Sequence, residues 1–510
     1  MVEKKRITLI IPPSIFLADA RVFVSLGILK VAAVLEKAKY PVDVLDLSGI
    51  SNYTDVVDNY FQNSDAKVAG ITATTPQMPA VENIYQTIRN VSRETLVILG
   101  GPHATVVNAA RKLEVKKGIV GRAHKAYKRL FSIADIVVAG DGEEAIFEAI
   151  KRSQASSGKL RQSGSLVDAD DPASNMFLDK HRLSELPPPA RHLIDLNSYH
   201  YYIGEERATS LIMQLGCPWG CRFCSGRLSP SFRRVRIRDI DKVSSEIEQI
   251  YRDYRYRGFM MYDDELNANP NMIQGMQAMT NLQSKLGVDF QLRGFIKADQ
   301  FNEQQALAMK EAGFKEMCIG FESGAPRILK NIKKQATVDQ NTRCLQIAKK
   351  YGLRVKAFTS VGHPGESEET IKQTHDWLID SEVDDFDTTI ISTFPGTPYY
   401  DEARQMGESG VWVYIVPETG DRLYSEDVDF VSLAEYYKGQ IEDGYRSYVH
   451  TDFLSADDLV NLRDWVERDV RARLNIPFYK TRAAILYDHS MGQLPGYVYR
   501  GQCSSGQKPE

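Results

Sequence analysis

The chain has 510 residues, of which 43% are hydrophobic and 25% charged. That balance excludes a wholly disordered, collagenous or coiled-coil chain and leaves room for two to four globular domains of about 150 residues each. Lys and Arg total 63 against 67 Asp and Glu, a formal net charge of −4, so no global basic excess draws the chain to nucleic acid or anionic lipid.

The densest basic run, Arg122 to Arg129 (RAHKAYKR), reads as a solvated face. No apolar run reaches the ~18 residues that a membrane span needs. The apolar stretch behind the basic start is cut by Pro12 and Pro13, too soon for a signal peptide. A cytoplasmic location is expected. Six cysteines, Cys217, Cys221, Cys224, Cys318, Cys344 and Cys503, are too few for a disulfide scaffold.

Residues 5–153 alternate strand and helix signals. Arg6 to Ile11, Val42 to Asp46, Val68 to Ala73, Leu96 to Gly100 and Ile136 to Ala139 read as buried strands. Helical stretches lie between them, including Leu26 to Lys39, Val81 to Val91 and Glu143 to Lys151. Val- and Ile-rich strands separated by helices predict an α/β domain, a parallel sheet covered on both faces and doubly wound in the flavodoxin manner. Residues 154–200 break the pattern with a Ser- and Gly-rich stretch and Pro187 to Pro189, and read as a linker.

From 201 to 400 the alternation resumes. Expected strands are Ala208 to Leu215, Phe259 to Tyr262, Phe290 to Gly294, Met317 to Gly320, Val355 to Val361 and Thr388 to Ser392. Six βα units in a row predict a partial (β/α)6 barrel, whose chemistry sits at the C-terminal ends of the strands. Residues 401–510 read as a mainly helical region, with Leu433 to Val449 and Ala456 to Leu474 as its helices. It is expected to close the barrel mouth. Its aromatics Trp412, Tyr414, Tyr436 and Tyr437 read more readily as core than as pocket lining.

Three of the cysteines fall in Gly216 to Arg227 (GCPWGCRFCSGR). The spacing C-x3-C-x2-C, in a turn just after an expected strand, lets three thiolates wrap one face of an iron–sulfur cube and leaves one iron open. A structural zinc site would need a fourth ligand, and the nearest are Cys318 and His200.

Cys217, Cys221 and Cys224, with Phe223 before the third, resemble the signature of the radical S-adenosylmethionine (SAM) superfamily. The resemblance implies a [4Fe-4S] cluster on the three cysteines as metal ligands, with SAM on the fourth iron. One electron, from a donor such as flavodoxin or ferredoxin, then cleaves SAM to methionine and a 5′-deoxyadenosyl radical. It also implies cofactor contacts for Phe223, for Asp263 and Asp264 of YDDE near the methionyl amino group, and for Glu322 and Ser323 of ESG. GHPGE at Gly362 to Glu366 and FPGT at Phe394 to Thr397 follow the next two strands. Arg293 and Lys297 could face the SAM carboxylate or solvent, and His363 reads more as structural than as a base.

The N-terminal domain resembles the cobalamin-binding domain fused to many radical SAM enzymes, through Leu26 to Asp46, Gly100 to Ala104 (GGPHA) and Gly140 to Glu143 (GDGE). This implies bound cobalamin, with Thr72, Thr74, Gly100 and Gly101 lining its site and Thr75 nearby. The Asp-x-His-x-x-Gly stretch that ligates cobalt from below is absent from Ile11 to Asp19 (IPPSIFLAD), and His103 is not assigned to cobalt. The resemblance points to a cobalamin-dependent methyltransferase acting on an unactivated carbon of a small molecule, lipid or peptide. The alternative is a non-methylating radical reaction, such as cyclisation, ring formation, dehydration or C–C coupling. Methylthiotransfer is disfavoured, because no cysteine precedes Cys217. The catalytic residues beyond the cofactor ligands stay unassigned, and no nucleic-acid partner is expected.

Overall fold

Short runs of Val, Ile and Leu become the strands of two parallel sheets. The computed structural model describes residues 4–14, 20–155, 164–407, 410–432 and 446–477. The first sheet holds β1 (Ile7–Ile11), β2 (Val42–Asp46), β3 (Val68–Thr72), β4 (Leu96–Gly100), β5 (Ile136–Gly140) and β6 (Ser165–Ala169). Its order is β2-β1-β3-β4-β5-β6, all parallel. The first five strands have the flavodoxin order, whose ligand crevice lies at the β1/β3 switch point.

The two faces of this sheet are packed by different helices. Leu9, Ile98 and Val138 face the helices Leu26–Lys37 and Gly142–Ala155, while Ile10, Ile71 and Leu99 face Tyr53–Asn63, Met78–Val91 and Pro102–Lys116. Each fully buried Val, Leu or Ile contributes roughly 1.5–3 kcal/mol.

The sixth strand corrects the linker expected over 154–200. Ser165–Ala169 (SLVDA) pairs along its length with β5. Its short, half-polar sequence carries little strand signal behind the Ser/Gly run, and the pairing comes from the open edge of β5.

The second sheet contains β7 (Tyr202–Ile203), β8 (Glu206–Leu211), β11 (Gly258–Met261), β12 (Gln291–Phe295), β13 (Phe314–Glu322), β14 (Arg354–Val361) and β15 (Asp385–Ile390). Six of them, β8 and β11 to β15, run parallel in chain order. This is the partial (β/α)6 barrel, with β7 antiparallel at its edge.

One expected strand, Ala208 to Leu215, is split. β8 ends at Leu211, because the Asp263 carboxylate accepts from the backbone N–H groups of Met213 and Gln214 in place of a ladder partner. The chain then forms β9 (Gln214–Leu215), antiparallel to β10 (Arg236–Ile237). The cysteine turn lies between these two short strands.

Beyond the barrel, the long helix Ala456–Leu474 answers to the helical expectation. Ahead of it stands an antiparallel sheet that the sequence reading does not foresee: β16 (Arg404–Gln405), β17 (Val411–Ile415), β18 (Arg422–Glu426) and β19 (Val449–Thr451). Most of the helix expected over Leu433 to Val449 lies outside the described residues, as do Tyr436, Tyr437 and Cys503. Arg471, steadied by Glu467 of its own helix at 3.0 Å, locks the helix to β15 by pairing with Asp385 at 3.1 Å. Among the described residues, no helix is long and apolar enough to cross a membrane.

The basic run at 122–129 is only partly a solvated face. Arg122 is buried between the rings of Tyr400 and Trp412, 3.8 and 4.4 Å from their centroids. It donates to the Tyr400 carbonyl at 2.6 Å. This clamps the first domain to the segment that leaves the barrel. Tyr414 packs 5.0 Å from Tyr399, so both aromatics of β17 serve packing.

Candidate active site

The cysteine turn is fixed from several sides. Gly216 has φ +90°, and a Cβ there would stand 2.0 Å from the Arg234 carbonyl oxygen. Only glycine fits. The Cys217 N–H donates to the Phe232 carbonyl at 2.9 Å, and the Arg222 N–H to that of Ile332 at 2.9 Å. The Arg222 guanidinium reaches the Asn331 carbonyl at 2.8 Å and the Glu418 carboxylate at 2.6 Å. Phe223 is half-buried, 5.5 Å from the His363 ring.

All three thiols are free of disulfides. Crowding by surrounding protein raises the Cys217 thiol to about 12 and the Cys224 thiol to about 11. Without metal they are thiols, and a bound iron would deprotonate them. Among the described residues, no three His, Cys, Asp or Glu side chains converge on a single ion. A cube asks for no such convergence, since it gives each thiolate its own iron. The turn therefore fits a cluster better than a lone zinc ion.

The carboxylates after β11 divide their work. Asp263 is 1% exposed and spent on the Met213 and Gln214 N–H groups. Burial raises its carboxyl to about 7. Asp264 accepts from the Gly216 N–H at 2.7 Å, which holds the first residue of the cysteine turn. Both carboxylates hold backbone N–H groups of the strand end and cysteine turn.

Glu265, passed over in the sequence reading, keeps a buried carboxylate oxygen with no hydrogen-bond partner. Burial raises its carboxyl to about 7, while Lys334 and Lys297 pull it down. An orphaned acceptor at a strand end suits an incoming ammonium. The visible signal was the third carboxylate of YDDE.

Glu322 sits at φ +67°, an unusual conformation for a residue with a side chain. Its carboxylate pairs with Lys334 at 3.0 Å and accepts from Ser360 Oγ at 3.0 Å. Ser360 in turn meets His363 Nε2 at 2.8 Å, and His363 Nδ1 meets the Tyr399 hydroxyl at 3.2 Å. Burial lowers His363 to about 3, so it is a neutral structural link. Ser323 is buried against Thr374 at 2.9 Å and the Ala325 N–H at 3.0 Å. Arg293 is buried beside Glu316 at 2.6 Å. Lys297 is buried, pairs with Asp299 and lies 5.1 Å from the Trp219 ring centroid. Neither cation is a solvated strand end.

A second feature opens beside the turn. A slot of about 220 Å³ runs between the first sheet and the helices Leu26–Lys37 and Gly142–Ala155. It is lined by Leu9, Ile28, Ile98, Val138 and Ile146, together with Ile212, Leu215 and Phe232. These last three flank the cysteine turn in sequence. An interface between sheet and helix is normally filled with side chains. Here glycines leave it empty. A Cβ at Gly27 would meet nothing within 4 Å, and one at Gly100 nothing nearer than 3.7 Å. Their bareness leaves room for an occupant.

Thr72, Gly100 and Gly101 line this slot. Gly101 has φ +94°, and its Cβ would strike Thr72 Oγ1 at 2.7 Å. Thr74 does not line it: its N–H and hydroxyl are held by Gln77 Oε1 at 2.9 and 3.0 Å. Thr75 bonds His103 Nδ1 at 3.0 Å. Lys30, Asp141 and Glu143 also line the slot. The last two belong to the GDGE motif, whereas no sequence signal marks Lys30.

Comparison with known proteins agrees with this geometry. Residues 211–378 match the family model of the radical SAM superfamily, and residues 20–150 that of the B12-binding domain. The chain is 24% identical to an uncharacterized methyltransferase of Pyrococcus horikoshii over 387 residues, 74% of this chain and 78% of the relative. It is 25% identical to the anaerobic magnesium-protoporphyrin IX monomethyl ester cyclase of Cereibacter sphaeroides over 346 residues, 67% of this chain and 54% of that enzyme. The fold matches the radical SAM methyltransferase TsrM of Kitasatospora setae, solved with tryptophan and a SAM analogue. The TM-score is 0.65 at 16% identity, covering 96% of this chain and 94% of that one.

Proposed function

We propose that this chain, a radical SAM superfamily member with an N-terminal B12-binding domain, is a cobalamin-dependent methyltransferase acting on an unactivated carbon of a small molecule, lipid or peptide. The observation that carries the reading is the shared wall: Ile212, Leu215 and Phe232 line the slot and flank the cysteine turn in sequence. Two cofactors that must act on one substrate would meet there.

The groups the two domains call for are a [4Fe-4S] cluster, SAM and cobalamin, which together supply radical generation and a transferable methyl group. Cys217, Cys221 and Cys224 would hold the cluster. Asp264 and Gly216 fix the turn that presents them. Glu265 would receive the SAM ammonium, a role the sequence alone placed on Asp263 and Asp264. Glu322 is held between Lys334 and Ser360 and would face the same ligand with a fixed charge. Phe223 would pack beside it. Thr72, Gly100 and Gly101 would line the corrinoid's tail, where missing side chains make the room. A low-potential carrier such as a flavodoxin or ferredoxin would supply the electron.

Anaerobic turnover with reductant, SAM and cobalamin tests the reading. S-adenosylhomocysteine and 5′-deoxyadenosine should both accumulate. Deoxyadenosine without S-adenosylhomocysteine would sink methyl transfer. It would favour a second reading, a non-methylating ring-forming reaction, which the 25% identity to a cyclase supports.

A further inference from the structure

Lys30 lies on the helix Leu26–Lys37, on the wall of the slot, and is only 5% exposed. Among the described residues, no hydrogen bond or ion pair engages its ammonium. A buried, unpaired ammonium is costly. Burial lowers the Lys30 pKa, and the Glu143 charge that opposes this effect forms no ion pair with it. Folding gains nothing visible from it, since a methionine of similar length would fill the same space without the cost. The group makes sense as a donor kept ready for an occupant.

The occupant's chemistry can be narrowed. The slot is walled by Leu9, Ile28, Ile98, Val138 and Ile146, so it suits a flat apolar ring. Glu143 and Asp141 also line the slot and act on Lys30 electrostatically. Two carboxylates beside the ammonium oppose a phosphate there. A neutral acceptor avoids that repulsion, and an sp² ring nitrogen is one.

Building on the cobalamin reading above, we infer that Lys30 is a specificity residue for the corrinoid's lower base, donating a hydrogen bond to a ring nitrogen of a heteroaromatic base lodged in the slot. A base that carries no ring nitrogen offers Lys30 nothing. A tail's phosphate plays no part in this contact.

Corrinoid binding to the full chain, read by absorbance titration and by retention through gel filtration, tests the assignment. The probes are cobalamin and a cobamide whose lower base is a phenol. Both carry the phosphate, and only cobalamin has the ring nitrogen. Lys30→Met should weaken cobalamin binding about tenfold or more, the worth of a charged hydrogen bond, and change phenolic cobamide binding less than about twofold. The thermal unfolding midpoint of the apo variant should not fall, because the substitution removes an unpaired charge.

Equal weakening of both corrinoids, or of neither, would overturn the assignment while leaving the cobalamin reading intact. A wild-type chain that retains neither corrinoid would overturn both. The two failures are therefore distinguishable without any measurement of turnover.

Discussion

Around the barrel mouth, Lys297, Lys334, Glu265 and Glu322 crowd the cysteine turn. Across the shared wall, the slot is lined by aliphatic side chains and bare glycines, with one lysine and two acids. The first region recognises by charge and coordination, in a setting where each polar group is either satisfied or waiting for a partner. The second recognises by shape, through space that side chains leave unfilled. Neighbouring sites on one chain can thus be read by opposite criteria. An orphaned polar atom marks the first, and a missing Cβ marks the second.

That contrast predicts separable failures. Cys221→Ala should abolish the iron–sulfur absorbance of anaerobically reconstituted protein and with it all SAM cleavage, while corrinoid retention through gel filtration stays. Loss of both would mean that the regions are not independent. Gly100→Leu should do the reverse. Its side chain enters the slot without meeting the protein closely at the Cβ, so corrinoid retention should fall by at least about tenfold, on the order of a misfitting buried group, with iron content unchanged. Iron loss in this variant would again break the separation.

Lys334→Met probes the charged side. It leaves Glu322, whose side chain is 12% exposed, with Ser360 as its remaining partner, and removing one partner of a mostly buried pair costs up to about 3 kcal/mol. Chemical denaturation would show this as a lower midpoint. An unchanged midpoint would show that the pair adds nothing to stability.

The smallest expected effect lies on the slot's own domain. Burial lowers His103 to about 4, below its unfolded value near 6.5. The folded state binds fewer protons, so this contribution is complete above pH 6.5 and is lost as pH falls towards 4. The loss should be about 1 kcal/mol by pH 5.5. Stability of His103→Gln measured between pH 7 and 5.5 should decline less steeply than that of wild type by that amount. Parallel curves would remove His103 as a titrating group.

Much of this was legible in the sequence for a physical reason. Strands buried on both faces are runs of Val, Ile and Leu, as in Ile7–Ile11, and such runs announce themselves. Cys217, Cys221 and Cys224 are close in the chain because one turn must present them together. The unread parts depend on distant partners. Ser165–Ala169 becomes a strand because β5 offers an open edge. Asp263 and Asp264 hold backbone N–H groups because the chain after β8 has them to satisfy. Lys30 looks like any helical lysine until the slot surrounds it. The sheet ahead of the last helix is made of strands of two to five residues, too short to carry a clear period.

Two aspartates from the first domain reach the segment just beyond the cysteines. Asp170 follows β6 and accepts from Ser229 Oγ at 2.7 Å and the Ser231 N–H at 2.9 Å, while Asp141 pairs with Arg236 at 2.5 Å. Synthesis proceeds from the N-terminus, and domains fold largely as units as they emerge. The first domain is therefore complete, with both aspartates in place, before the ribosome has released the cysteine turn. The nascent turn closes against a finished surface, so the chain carries its own template for shaping the site that later receives iron and sulfide.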